Sequence, residues 1–293
     1  MRTLLKLSLV FLIFSASPVI ADLHQEKEVQ AFITEMVTKH GFDKSQLDSI
    51  FSRASVAQSI LDAISRPAEA MPWYKYRRIF LRNDRINLGR RFIDNHRALL
   101  EKAEAEYGVP AHIIAAIIGV ETRYGGNKGS YKVLDSLVTL GFRYPKRASF
   151  FRSELEQFLL LTREQGLDPL TVTGSYAGAM GIPQFISSSY RHYAVDFDDD
   201  GQIDIWDNPA DAIGSVANYF KMHGWKQGQD IAFKASVSGN AYEAILDSSL
   251  KPDRTLAEIF GLGIAIDKDL PGELNGKLLK YEQERGNDYW VGL

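Results

Sequence analysis

The carboxylate best placed for chemistry is Glu121, in the run Ile117-Ile118-Gly119-Val120-Glu121-Thr122-Arg123-Tyr124-Gly125-Gly126. It is the lone acid at the end of an apolar, buried-looking stretch, and a glycine turn follows it. Burial disfavours the ionised form, so a glutamate placed there can keep a proton near neutrality and donate it. The competing reading is a structural glutamate, paired with Arg123 or capping a loop. A second stretch, Gly174-Ser175-Tyr176-Ala177-Gly178-Ala179-Met180-Gly181-Ile182-Pro183-Gln184-Phe185, is rich in small residues that let a ligand approach the backbone. Gln184 adds a donor and an acceptor for hydroxyl or acetamido groups. It is neither a phosphate loop, which ends Gly-Lys-Ser/Thr, nor a nucleophile elbow, which needs Gly-x-Ser-x-Gly. Read without a ligand, it is a tight turn in which glycine serves packing alone.

The third stretch is Asp196-Phe197-Asp198-Asp199-Asp200-Gly201-Gln202-Ile203-Asp204-Ile205-Trp206-Asp207. It matches the helix–loop–helix calcium pattern at Asp196, Asp198 and Asp200, with Gln202 next in line as a backbone ligand and glycine at the sharp turn. So many aspartates repel one another unless a cation neutralises them. The closing position holds Asp207, shorter than the usual bidentate glutamate. Either Asp207 reaches the ion or a longer loop is closed by Asp211. One such loop without a paired second one points to a structural ion rather than a sensor.

Helices must hold these groups. Apolar residues recur at three and four from Leu23 to about Tyr107, with breaks at Arg66-Pro67 and Met71-Pro72. A basic helical stretch follows the second break, from Lys75 to Arg97, read as a solvated face or as a surface attracted to an anionic polymer. Further helices are predicted over 111–120, 150–161 and 209–220. Beyond Gly224 the pattern alternates, as in Ile231-Ala232-Phe233-Lys234-Ala235-Ser236-Val237, and predicts strands. The expected organisation is a signal peptide over 1–21, an α-helical region over 22–105, a central core over 106–223 and a small β-rich domain over 224–293.

The 293 residues are 45% hydrophobic and 24% charged, enough to bury a core, and the net charge of −3 argues against a nucleic-acid partner. Cysteine is absent, which removes disulfides, thiol nucleophiles, cysteine–metal sites and lipid attachment through cysteine. Arg2 and Lys6 precede an apolar run over 7–14 and a small-residue cleavage site before Asp22, so an exported, soluble, periplasmic product is expected. The six histidines are scattered, with no zinc-binding pair.

Together these stretches resemble the lytic murein transglycosylase B family of glycoside hydrolases, from about Pro72 to Leu293. The resemblance rests on 119–125, Tyr144-Pro145-Lys146-Arg147-Ala148, 174–185, and the aspartate loop leading into Ala212-Ile213-Gly214-Ser215-Val216-Ala217-Asn218-Tyr219-Phe220. It implies a mainly α, α+β fold: a lysozyme-like core with an N-terminal α-helical region, an EF-hand-like calcium loop and a small β-rich domain. It implies cleavage of the β-1,4 bond between N-acetylmuramic acid and N-acetylglucosamine in peptidoglycan, with Glu121 as the catalytic residue, one structural Ca2+ and no organic cofactor. By position, Ser175 and Gln184 match groups lining the glycan cleft, as do Tyr76, Arg147 and Tyr219. Lys146 stands where the family has arginine. Family members continue past the region matching 289–293 into a Tyr-Asn pair and a final helix, which this sequence does not contain.

Most glycosidases use two carboxylates. Near Glu121 the sequence offers no second one: Asp135 is the next downstream, and Glu101, Glu104 and Glu106 lie beyond Pro110. By the resemblance, one glutamate serves as acid and then as base, and the muramyl 6-hydroxyl closes a 1,6-anhydro ring. The alternatives are a hydrolytic muramidase and a non-catalytic peptidoglycan-binding or scaffold protein. The expected partners are glycan strands and cell-wall synthases or hydrolases, with the chain itself a monomer.

Overall fold

The computed structural model describes residues 23–66, 71–247 and 249–293; the signal peptide expected over 1–21 lies outside them. The chain divides into two compact units, one ending at Ala54 and the other spanning Ser55–Leu293. In the first, α1 (Lys27–His40) and α2 (Lys44–Ser52) form a hairpin. Val29, Phe32, Ile33 and Met36 share one face of α1 by their spacing and are buried, as are Leu47, Ile50 and Phe51 of α2. The Phe32 and Phe51 rings meet edge to face at 5.9 Å. Gly41, at φ 65°, ends α1 in the left-handed conformation, and the Asp43 carboxylate caps α2 by accepting from the Gln46 amide at 2.8 Å.

The second unit carries the helices α3 (Gln58–Ile64), α4 (Trp73–Phe80), α5 (Asn83–Asn95), α6 (Arg97–Tyr107) and α7 (Ala111–Thr122). A two-residue strand β1 (Tyr131–Lys132) leads into α8 (Val133–Arg143) and α9 (Ala148–Glu164), and β2 (Thr173–Gly174) pairs antiparallel with β1. Then come α10 (Ser187–Tyr193) and α11 (Pro209–Met222). One core joins α5, α6, α7 and α11 through Phe92, Leu100, Ile114, Ile118, Ile213 and Val216, all buried. A Glu104 carboxylate oxygen accepts from the Ala111 amide at 2.9 Å and satisfies one of the orphan donors at the start of α7.

The C-terminal strands are β3 (Ala232–Val237), β4 (Arg254–Thr255), β5 (Ile264–Ile266), β6 (Asn275–Glu282) and β7 (Asn287–Gly292). They pair antiparallel in the order β4-β6-β7-β3-β5. The short helix α12 (Leu256–Gly261) packs Leu256 and Ile259 onto Leu278 and Val291, and a Thr255/Glu258 capping box starts it. The architecture is thus mainly helical with a small antiparallel sheet.

The basic stretch is two helices, α4 and α5, broken at Leu81. Several of its cations are spent on ion pairs: Arg78 with Glu284 at 2.8 Å, Arg82 with Asp84 at 2.9 Å and Arg97 with Asp94 at 2.7 Å. Trp73 packs on Tyr281 of β6 with ring centroids 4.9 Å apart. This face is exposed and partly paired, with Arg85 half-buried and its guanidinium 5.1 Å from the Phe80 ring centre.

Candidate active site

Glu121 sits in the last turn of α7, and the chain leaves that helix by an abrupt route. Arg123 and Tyr124 both take positive φ, 55° and 61°, which turns the backbone away at once. Buried Thr122 holds the turn together: its hydroxyl donates to the Ile182 carbonyl at 2.8 Å and accepts from the Gly125 amide at 3.0 Å. Arg123 pairs with Asp84 at 2.9 Å. The end of α7 is therefore tied both to α5 and to the 174–185 segment.

Glu121 is not buried, which corrects the expectation drawn from its apolar neighbours. Residues 114, 115, 118, 119 and 122 of α7 face the core, whereas Val120 and Glu121 are exposed. At one hundred degrees per residue, Ile117 and Glu121 share a different face, and that face lines a cleft of about 250 Å³. Ile117, Pro183, Phe185, Ile186, Val216 and Phe220 give the cleft apolar walls, and Glu121, Gln184, Ser189 and Tyr219 give it polar ones. Among the described residues that line it, Glu121 is the only carboxylate. Asp135 is occupied elsewhere, accepting from the Ser55 amide at 2.8 Å.

The small-residue segment folds as a tight loop. Met180 and Phe185 exchange backbone hydrogen bonds of 2.8 and 3.0 Å, so residues 181–184 form the tip. Gly181 has φ 68°, and a Cβ there would stand 2.6 Å from the Ile205 carbonyl, so glycine is required. Gln184 also takes a positive φ, 52°, a strained conformation of the kind held at functional sites. Its amide nitrogen donates to the carbonyls of Gly181 at 3.0 Å and Lys128 at 3.2 Å. With both hydrogens spent, the side chain offers the cleft its acceptor oxygen rather than a donor and an acceptor. Tyr219 stacks on His223 with centroids 4.0 Å apart and meets Phe185 at 5.7 Å.

The other sequence-matched residues are not among those lining this cleft. The Ser175 hydroxyl accepts from the amides of Ala177 at 3.3 Å and Ala179 at 3.0 Å, bracing the loop from behind. Tyr76 lies on α4 against Trp73 and Phe80, and Arg147 is exposed with its guanidinium 4.2 Å from the Phe150 ring centre. Ser189 and Ile117 are cleft residues that the sequence reading missed; position 117 is four before Glu121, a helical spacing that marks it.

The aspartate loop draws Asp196, Asp198 and Asp211 together, with carboxylate oxygens all within 4.8 Å of one another. Asp211 is fully buried in the first turn of α11 and accepts from the Phe197 amide at 2.8 Å and the Asp204 amide at 2.7 Å. Burial holds its carboxyl above the usual range, the two amides oppose that, and Asp198 and Asp196 reinforce it. Three converging carboxylates, one of them dehydrated, fit a hard divalent cation. Asp200 accepts from the Gln202 amide at 2.8 Å. Asp207 is turned outward, 81% exposed, and pairs with Lys128 at 2.7 Å. Phe197 anchors the loop by packing its ring over Gly214.

The family model described as the transglycosylase SLT domain matches residues 24–293. The chain is 41% identical over 282 residues to membrane-bound lytic murein transglycosylase B of Escherichia coli (strain K12), covering 93% of this chain and 77% of that one. The structure of catenated lytic transglycosylase SltB1 from Pseudomonas aeruginosa superposes with a TM-score of 0.88 at 49% identity, covering 93% and 90% of the two chains. Lytic transglycosylase Slt35 of Escherichia coli, solved in complex with calcium, gives 0.84 at 42% identity, covering 93% and 86%. The fold is the lysozyme-like one of these enzymes, and the chain belongs to the transglycosylase SLT family.

Proposed function

We propose that this chain is a lytic transglycosylase of peptidoglycan in which Glu121 acts first as acid and then as base. The observation that carries the reading is one carboxylate on the wall of an open cleft whose other walls are apolar, aromatic and amide. As an acid, Glu121 protonates the oxygen linking N-acetylmuramic acid to N-acetylglucosamine. The neighbouring acetamido group of the substrate stabilises the cationic sugar, as in substrate-assisted glycosidases. Glu121, now ionised, takes the proton of the muramyl 6-hydroxyl, whose oxygen closes the 1,6-anhydro ring. The nucleophile belongs to the same sugar, so its effective molarity is high and no second carboxylate is needed to activate water.

Glu121 is exposed in the open cleft, so the dehydration that favours its protonated form comes from the glycan itself. A strand lying on Ile117, Pro183, Phe185 and Phe220 displaces the water around the carboxyl. Gln184 presents its oxygen to a sugar hydroxyl or acetamido N–H, and Tyr219 borders the same strand. Asp196, Asp198 and Asp211 hold one Ca2+ as a structural ion that pins the loop to α11, with the Gln202 carbonyl at the loop's backbone-ligand position. The enzyme works where its polymer lies, in the periplasm; among the described residues no helix is long and apolar enough to cross a membrane.

Replacing Glu121 by Gln tests the assignment. Release of soluble muropeptides from purified sacculi falls by about three orders of magnitude or more, as expected on losing a residue that both donates and accepts the proton, while glycan binding persists. Turnover within tenfold of the parent contradicts it.

A further inference from the structure

Between the carboxylate cluster and the cleft runs an unbroken set of hydrogen bonds through a residue that no sequence motif singles out. The Asp204 amide donates to Asp211 at 2.7 Å, and the Asp204 carboxylate accepts from the amides of Trp206 at 2.8 Å and Asp207 at 3.0 Å. The Lys128 ammonium then donates to the Trp206 carbonyl at 2.8 Å and to the Asp207 carboxylate at 2.7 Å. The Lys128 carbonyl accepts from the Gln184 amide at 3.2 Å, and Gln184 lines the cleft with Glu121. Lys128 is held on either side along the chain: the Asn127 amide donates to the Thr122 carbonyl at 2.8 Å, and Gly129 lies against the backbone of Gly174 too closely for any side chain.

We propose that Lys128 is a positioning residue for the glycan cleft: the loop that bears the carboxylate cluster clamps its ammonium, and its carbonyl fixes the orientation of the Gln184 amide. The inference rests on the reading of the cleft as a glycan site and extends it. An exposed ion pair alone contributes little, but the Lys128 side chain is two-thirds covered and its ammonium is bonded to a carbonyl as well as a carboxylate. If it is removed, the peptide of Lys128 keeps its neighbours' anchors but loses the one its own side chain supplies, and Gln184, already held at positive φ, can rotate its oxygen out of the cleft. Asp207 thereby acquires a role other than metal ligation.

The test measures affinity for chitotetraose by calorimetry on the full chain carrying Glu121→Gln, so that no turnover intervenes. Adding Lys128→Met weakens binding by about five- to tenfold, the scale of one charge-assisted hydrogen bond in a positioning network. Lys128→Arg, which keeps the donor, restores it to within about twofold. Gln184→Ala combined with Lys128→Met binds no worse than Gln184→Ala alone, because the two act as a unit. Asp207→Asn weakens glycan binding in the same sense, yet its calcium affinity, titrated with the metal alone, equals the parent's; this surface variant decides the matter if Lys128→Met does not fold. Parental affinity in Lys128→Met, or losses that multiply in the double variant, overturns the proposal. Inactive parental enzyme whose chitotetraose affinity still depends on Lys128 contradicts the catalytic reading and leaves this one standing.

Discussion

The Tyr124 ring lies against Gly119, two residues before Glu121, so closely that a Cβ at 119 would sit 2.5 Å from its Cζ and hydroxyl oxygen. Phe92 packs against the same ring with centroids 5.4 Å apart, so any shift of it disturbs the core. The turn after α7 is thus folded onto the helix that bears the acid. Gly119→Ala must push Tyr124 and its positive-φ backbone outward, costing about 1–3 kcal/mol as overpacking. The expected outcome is a lower melting temperature and a fall in kcat larger than any rise in KM, measured on soluble glycan.

Covering of Glu121 by substrate has a pH signature. The protonated carboxyl is the working acid, so activity falls as pH rises through its titration. kcat/KM reports the free enzyme, in which Glu121 is exposed, and kcat reports the glycan-covered complex. The alkaline limb of kcat therefore lies at higher pH than that of kcat/KM. Coincident limbs in the two profiles contradict dehydration by substrate.

Calcium removal is expected to destabilise the second unit. An ion present at about a hundredfold over its Kd contributes about 3 kcal/mol, worth about 5–10 °C in Tm for a domain of this size. Chelation lowers the melting temperature by that amount, and Asp211→Asn abolishes the calcium response. Asp207→Asn retains it. A melting curve indifferent to calcium in verified metal-free protein contradicts the site.

Much of this was legible in the chain. The helices expected from apolar spacing over 111–120, 150–161 and 209–220 stand at 111–122, 148–164 and 209–222, and the strand expected from alternation within 231–237 stands at 232–237. The exposure of Glu121 was not, because an apolar helix facing an open cleft and one facing a core have the same composition. The convergence of Asp211, rather than Asp207, on Asp196 and Asp198 was equally hidden. It depends on Lys128, 79 residues away, drawing Asp207 outward, and on α11 carrying Asp211 inward. The hydroxyl of Ser175 reads as a ligand group in sequence, and local geometry fills its acceptor side with two backbone amides, leaving its O–H to donate.

That last relation gives its own expectation. Ser175→Ala leaves the Ala177 and Ala179 amides without their acceptor at the back of the loop, costing about 1 kcal/mol. Stability falls and glycan affinity changes little. A loss of affinity of tenfold or more with unchanged stability would place the hydroxyl in contact with the glycan instead.

The most direct test of proton shuttling by a single carboxylate is digestion of purified sacculi in heavy-oxygen water, followed by mass spectrometry of the released muropeptides. Every new muramyl end is predicted to be a 1,6-anhydro sugar, lighter by one water than a reducing end and free of solvent oxygen, and the Glu121→Gln protein yields none. Reducing muramyl ends that carry the heavy isotope would show that water is the nucleophile and contradict the account.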